Sequence, residues 1–327
     1  MLIDSLFLLV GLVFLIGGGE LLVRGAVRIA ERLGLSPMLI GLTVVGMGTS
    51  MPELAASVQA ALAGSPGIAV GNIVGSNIAN ALLILGCAAL LSPFLVQRGV
   101  LRRDGGVGLA AAAALLLAGH TLGLGRLVGV GLELAMVAYV YLAFRQEKLG
   151  ADHSAGFDKA LAAEAVDPGL VPRVESTGSL VVPAVLFLAG LVLIVGGGSL
   201  LVKGAISIAS GLGVSDETIG LTVVAVGTSL PELVTSAIAA IKRQGDIALG
   251  NVLGSNIYNI LFIGGLTGIV APATIPSGIL GFDLPLLLFI TLLVMGFAWT
   301  GGKLSRLEGA LLVVGYAAYA SFTAGLW

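Results

Sequence analysis

The chain has 327 residues, 57% of them hydrophobic and only 10% charged, with a formal net charge of -2. A soluble domain carries about a quarter charged residues, so this chain could not cover its own surface against water. That excludes a cytosolic globular enzyme, a disordered tail and a nucleic-acid binder with its basic patch, and leaves a polytopic membrane protein of mean hydropathy +1.09.

A bilayer crossing takes about 20 mostly apolar residues. Ten segments meet that criterion: 5–29, 37–63, 68–92, 106–121, 127–144, 180–207, 217–241, 247–271, 280–299 and 307–325. The predicted fold class is therefore an all-α polytopic membrane protein with ten transmembrane helices. Only Asp4 precedes the first apolar run, with no basic n-region, so that run reads as a span and not as a cleaved signal. The polar stretch from Arg145 to Gly178 separates the fifth and sixth spans. It reads as a connecting loop with at most one short surface helix. The chain thus divides into a first unit 1–144, a loop 145–179 and a second unit 180–327.

Basic residues sort the two membrane faces, because cytoplasmic loops attract Lys and Arg. With ten spans, Arg24, Arg28, Arg32, Arg98, Arg102, Arg103, Arg145, Lys148, Lys159, Arg173, Lys242, Arg243, Lys303 and Arg306 fall on one side, and only Arg126 and Lys203 on the other. The 145–179 loop is then cytoplasmic, both termini lie outside, and the location is the inner (plasma) membrane.

Residues 11–86 align without a gap on residues 190–265, a constant offset of 179, and 43 of the 76 pairs are identical. Each half holds five spans, an odd number, so the second half enters the membrane from the opposite side. Two like halves of opposite orientation form an inverted repeat, the architecture of alternating-access transporters.

The second span of each half carries the same string at mid-depth: Gly48, Thr49, Ser50, Pro52 and Glu53, then Gly227, Thr228, Ser229, Pro231 and Glu232. A carboxylate there costs on the order of 3 kcal/mol or more without a partner. No Lys or Arg occurs in these two spans at comparable depth, so a bound cation is the simplest counter-charge. Proline lacks an N–H and clashes with the preceding turn, which frees backbone carbonyls near 48–49 and 227–228. The third spans offer Ser76, Asn77 and Asn80, then Ser255, Asn256 and Asn259; Ser and the last Asn are four apart and share a helix face. Two carboxylates with many neutral oxygens are the hard-ligand set that Ca2+ takes at six to eight coordination. Cys87 is alone, and His120 and His153 have no ligand-spaced neighbours, which argues against zinc, copper or iron.

Plainer readings compete at several positions. Glu53 and Glu232 could be a structural pair bonded to hydroxyls, and the Ser and Asn residues could simply join helices through polar contacts. Gly17, Gly18 and Gly19, with Gly196, Gly197 and Gly198, read as close helix packing, with sliding of the first span of each half as the second reading. Glu20 lies four residues before Arg24 and reads as an ordinary ion pair. Glu133 and Asp283 lack repeat partners and read as interfacial or locally paired.

The motifs GTSMPEL and GSNIAN in the first half, with GTSLPEL and GSNIYN in the second, resemble the two alpha repeats of the cation/calcium exchanger superfamily, and specifically of prokaryotic sodium/calcium exchangers. The resemblance implies that Glu53 and Glu232 are acidic ligands shared by Ca2+ and Na+. Thr49 and Thr228, beside Ser50 and Ser229, would add oxygens, and Ser76 and Ser255 would serve flanking Na+ sites. It places Asn80 at the centre and uses the Gly46 and Ala225 carbonyls for Na+. Asn259 stands where potassium-dependent exchangers have Asp, which implies K+ independence. The first and sixth spans would move across a fixed core.

The reading is a secondary antiporter, not an enzyme, exchanging Na+ for Ca2+ at one site between the repeats. Its partners are Ca2+, Na+ and the lipid bilayer, with no cofactor, no nucleic acid and no obligate protein partner evident. Three alternatives stay open: a Ca2+/H+ antiporter with protons on Glu53 and Glu232, a Ca2+-permeable channel, and an intramembrane hydrolase, for which no base lies near Ser50 or Ser229.

Overall fold

The computed structural model describes residues 2–32, 46–96, 98–148, 155–166, 180–241, 243 and 245–325. Residues 37–45 at the start of the expected second span lie outside the described residues, as do loop residues 149–154 and 167–179.

The chain is almost wholly helical because its apolar runs leave the backbone no other partner in lipid. In order come α1 (Leu2–Arg32), a helical turn at Gly46–Gly48, α2 (Met51–Leu62), α3 (Pro66–Leu91), α4 (Gly106–Thr121), α5 (Arg126–Lys148), α6 (Ala155–Val166) and α7 (Val181–Leu212). They are followed by α8 (Asp216–Thr228), α9 (Leu230–Ile241), α10 (Gly245–Tyr258, extended to Val270 through a π-helical stretch), α11 (Leu284–Gly301) and α12 (Arg306–Thr323). Six described helices are long and apolar enough to cross a membrane, and a seventh if α8 and α9, bent by 48°, form one span. The expectation of an all-α chain needs a small correction. Phe94–Leu95 (β1) pairs antiparallel with Lys303–Leu304 (β2), and Leu124 bridges Ala273.

The centre of the protein is α3 and α10. Of their span windows 83% is buried, against 33% for α1 and α7, so the motif-bearing third spans are wrapped on all sides while α1 and α7 face outward along most of their length. Those outer helices cross each other antiparallel over a ladder of glycines. A Cβ at Gly11 would sit 2.8 Å from the Gly197 carbonyl and one at Gly197 2.8 Å from that of Gly11. At Gly18 and Gly190 the reciprocal distances are 3.0 and 2.6 Å. Since 11 and 190, and 18 and 197, are repeat equivalents, the two contacts exchange under the 179 offset. Lipid tails give no hydrophobic drive between helices, so such close backbone approach and the dispersion it allows hold them together. Gly17 and Gly196 meet nothing within 4 Å, so packing accounts for Gly18 and Gly197, more loosely for Gly19 and Gly198, and not for Gly17 and Gly196.

The expected surface helix of the loop is the largest correction. Helix α6 is inserted among the membrane helices, with Lys159 1%, Asp158 4% and Ala162 0% exposed. It is rich in alanine, slim enough to lie against α10, where a Cβ at Gly250 would fall within 2.1 Å of Asp158 Cβ.

Candidate cation site

Both Pro-Glu strings break their helices as proline requires. Ser50 (φ -93°, ψ 10°) and Ser229 (φ -87°, ψ 9°) leave helical geometry one residue before α2 and α9 begin. Each break sets the following glutamate in a first helical turn, whose free N–H groups favour a negative charge. Glu53 is 1% and Glu232 2% exposed. A second device places the asparagines: a π-helical stretch runs over Asn80–Ile84 in α3 and over Asn259–Gly264 in α10. A widened turn of this kind is common at functional sites, and here its first residue in each half is the expected ligand.

The two strings are clamped to the third spans in the same way. Asn72 Nδ2 donates to the Glu53 carbonyl (3.0 Å) and to Ser57 Oγ (2.9 Å). Its repeat equivalent, Asn251 Nδ2, reaches the Glu232 carbonyl (3.3 Å) and Ser236 Oγ (2.8 Å). The reading of the sequence missed both asparagines, although their identity under the 179 offset was available as a signal. The halves then interlock. Ser229 Oγ donates to Glu53 Oε1 at 3.3 Å, Ser76 Oγ to the Ala225 carbonyl at 3.4 Å, and the Thr228 hydroxyl lies 3.0 Å from Asn72 Oδ1.

Other expected residues are placed less centrally by their bonds. Thr49 Oγ1 donates to the Gly46 carbonyl (3.2 Å) within its own turn. Asn80 Nδ2 donates to Asn256 Oδ1 (3.0 Å), and Asn256 Nδ2 to the Asn77 carbonyl (3.3 Å). Asn256 thereby takes the helix-joining role that its plainer reading gave it, whereas the Asn77 side chain donates to the Ile73 carbonyl of its own helix (2.7 Å) and leaves its Oδ1 unpartnered. Ser50 Oγ, Glu53 Oε2, Asn80 Oδ1, Glu232 Oε2 and Asn259 Oδ1 are buried without a hydrogen-bond partner among the described residues. Leaving each bare costs about 1–3 kcal/mol, and native proteins avoid such groups. Asn259 Nδ2, a donor, is bare as well; the unpartnered oxygens are the groups suited to a cation.

The counter-charge expectation is corrected in one half only. Lys159 Nζ, from α6, donates to Glu232 Oε1 at 3.0 Å and to Ser255 Oγ at 2.6 Å. The lysine lies in the connecting loop and has no repeat equivalent, so nothing in the pattern pointed to it. Glu53 makes no ion pair among the described residues. These hold no group of three or more His, Cys, Asp or Glu placed to share a metal ion.

Outside the site, Glu20 and Arg24 pair at 2.5 Å as expected. Asp283 is locally bonded, accepting from Tyr319 Oη at 2.8 Å, but it does have a counterpart. Asp104, its 179-offset equivalent, accepts from Tyr139 Oη at 3.3 Å and pairs with Arg103 at 2.8 Å. The repeat thus extends beyond the 76 aligned residues as geometry where identity has faded. Glu133 packs against Gly265, its Oε1 unpartnered.

The chain is similar over nearly its full length to several membrane proteins, two of them sodium/calcium exchangers. It is 39% identical to the putative antiporter CaxA of Alkalimonas amylolytica, covering 98% of both chains. Identity is 37% to the sodium/calcium exchanger MaX1 of Methanosarcina acetivorans, with 97% of each covered. The inner membrane protein YrbG of Escherichia coli is 33% identical over 97% of this chain and 95% of that one. Among solved structures, the sodium-calcium exchanger NCX_Mj, soaked with Na+ and Sr2+, superposes with a TM-score of 0.61 at 31% identity over 97% of both chains. Residues 4–145 and 182–325 match the sodium/calcium exchanger protein family. By the residues matched and by its fold, this chain belongs to the sodium/calcium exchanger family of membrane antiporters.

Proposed function

We propose that the protein exchanges Na+ for Ca2+ by alternating access at a single site between two inverted five-span halves. The observation that carries this is the pair Glu53 and Glu232, buried and clamped by equivalent asparagines, each with one carboxylate oxygen that has no hydrogen-bond partner among the described residues. The reciprocal glycine contacts of α1 and α7 support the inverted repeat, since equivalent helices run antiparallel and exchange contacts under one offset. The site is read as Glu53, Glu232, Thr49, Thr228, Ser50, Ser229, Ser76, Ser255, Asn80, Asn259 and the carbonyls of Gly46 and Ala225.

In this mechanism the two carboxylates carry a charge of about -2, which one Ca2+ neutralises. Several Na+ ions satisfy the same oxygens, and the competition couples the two fluxes. If three Na+ move against one Ca2+, one net charge crosses per cycle, and 100 mV contributes about 2.3 kcal/mol toward Ca2+ extrusion from a negative interior. Asn259 supplies a neutral oxygen where a carboxylate would add a K+ ligand, so transport is read as K+-independent. Placement in the inner (plasma) membrane with the 145–179 loop cytoplasmic follows from the segregation of Lys and Arg.

The test is Ca2+ flux into proteoliposomes under an imposed Na+ gradient and, separately, a pH gradient. Flux driven by Na+ and unaffected by K+ is expected. Flux driven by protons alone would replace this reading with Ca2+/H+ antiport.

A further inference from the structure

Helix α6 introduces into the site a cation that the chain itself carries. We propose that α6 is a reversible plug whose Lys159 ammonium takes one cation position, beside Glu232 and Ser255, and that Ca2+ must displace it to bind. The proposal rests on the exchange reading for the identity of the displaced ion, but its docking geometry stands independently.

Three observations converge on it. The first is chemical. The ammonium reaches two residues of the expected site, at 3.0 Å from Glu232 Oε1 and 2.6 Å from Ser255 Oγ, and is 1% exposed. Ser76, the equivalent of Ser255, meets a backbone carbonyl instead, so the halves differ at the place where the lysine enters.

The second is steric. Gly71 of α3 receives α8, a Cβ there lying 3.0 Å from Leu221 N and 3.1 Å from the Glu217 carbonyl. At the equivalent position on α10, Gly250 faces α6 through Asp158, with Asp158 Cβ 2.1 Å from where a Cβ on Gly250 would lie. The repeat equivalents of Glu217 and Leu221, Met38 and Leu42, lie outside the described residues. Helix α6 also walls a cavity of about 530 Å3 through Ala163 and Val166, whose other lining residues include Thr49, Pro52 and Pro231. Withdrawal of α6 would widen that cavity onto both Pro-Glu strings.

The third is electrostatic. With Lys159 docked, the two carboxylates keep a net charge of about -1, which one Na+ balances and one Ca2+ exceeds. Excess charge in a low-dielectric interior is unfavourable, so the docked state accepts Na+ and rejects Ca2+. Docking then lowers the fraction of protein competent for Ca2+, and apparent affinity falls by that fraction.

Full-length protein carrying Cys87→Ser and Ala162→Cys, reconstituted in liposomes, reports docking by the rate at which a water-soluble maleimide labels position 162. Labelling should be slow without Ca2+ and about tenfold faster at saturating Ca2+, the change expected if the plug leaves a tenth of the molecules open. Adding Lys159→Met should make it fast at all Ca2+ concentrations. In Na+-driven uptake, Lys159→Met should lower half-saturating Ca2+ about tenfold. Labelling that responds neither to Ca2+ nor to Lys159→Met would overturn the proposal, as would a rise in half-saturating Ca2+ in Lys159→Met. Labelling needs no transport. A lack of Na+-driven flux in every variant would therefore defeat the exchange reading while position 162 still decides whether α6 docks.

Discussion

The two halves of the molecule hold their glutamates in the same way but give them different partners. Asn72 and Asn251 clamp Glu53 and Glu232 through equivalent bonds, π-helical stretches begin at Asn80 and Asn259, and β1–β2 repeats in reverse as the Leu124–Ala273 bridge. The difference lies at the carboxylates. Glu53 receives a neutral hydroxyl from the opposite half, whereas Glu232 receives an ammonium from α6. A repeated sequence thus gives two like carboxylate environments, and a helix from the segment between the copies makes them unlike.

The largest effect should come from neutralising either acid. Glu53→Gln and Glu232→Gln are each expected to reduce Na+-driven Ca2+ flux about a hundredfold or more, the scale of removing one partner from a buried charge interaction. Only Glu232→Gln should also release α6, seen as faster maleimide labelling at position 162 in the variant background above. Equal labelling in the two variants would erase the asymmetry.

The glycine ladder gives the next test. Gly18→Ala and Gly197→Ala place a Cβ within 2.8 Å of Leu193 Cβ and of the Gly11 carbonyl, so each should lower unfolding stability by about 1–3 kcal/mol. Gly17→Ala and Gly196→Ala, with nothing within 4 Å, should leave it unchanged. Thermal unfolding of the purified variants in detergent separates the pairs.

Smaller effects are expected from the clamps. Asn72→Ala should cost about 1 kcal/mol of stability, and Asn251→Ala about as much. Because Asn72 also faces the Thr228 hydroxyl at 3.0 Å, only Asn72→Ala should show coupling to Thr228→Val in a double-mutant cycle. Smallest of all, Tyr319→Phe and Tyr139→Phe should each cost about 0.6 kcal/mol. Tyr319→Phe should cost the more, its bond to Asp283 being 2.8 Å against 3.3 Å for Tyr139 to Asp104. Chemical unfolding measures both.

The sequence disclosed what is periodic or duplicated. Apolar runs, glycines and the paired Pro-Glu strings are local or repeated signals: six of the runs, or seven with the bent α8–α9 pair, are helices long enough to span, Gly18 and Gly197 lie at a helix crossing, and both strings break their helices. Asn72 and Asn251 were legible through the repeat but are neutral residues inside apolar spans, where a helix-joining bond is as ordinary as a ligand. Lys159 was not legible. A charged residue in a polar loop gives no sign that its short, alanine-rich helix fits a groove at Gly250, since that fit depends on contacts between segments nearly a hundred residues apart. The equivalence of Asp104 and Asp283 escaped although both are Asp at the 179 offset, because the residues around them share few identities.

The most direct test of the shared site is ion-specific density in crystals grown over a series of Na+ and Sr2+ concentrations, with Sr2+ standing in for Ca2+ as a strong anomalous scatterer. The account predicts one divalent peak bounded by the carboxylates of Glu53 and Glu232, present only where Lys159 has withdrawn and lost as Na+ rises. A peak that lies elsewhere, or that persists beside bound Na+ at saturating concentration, would contradict it.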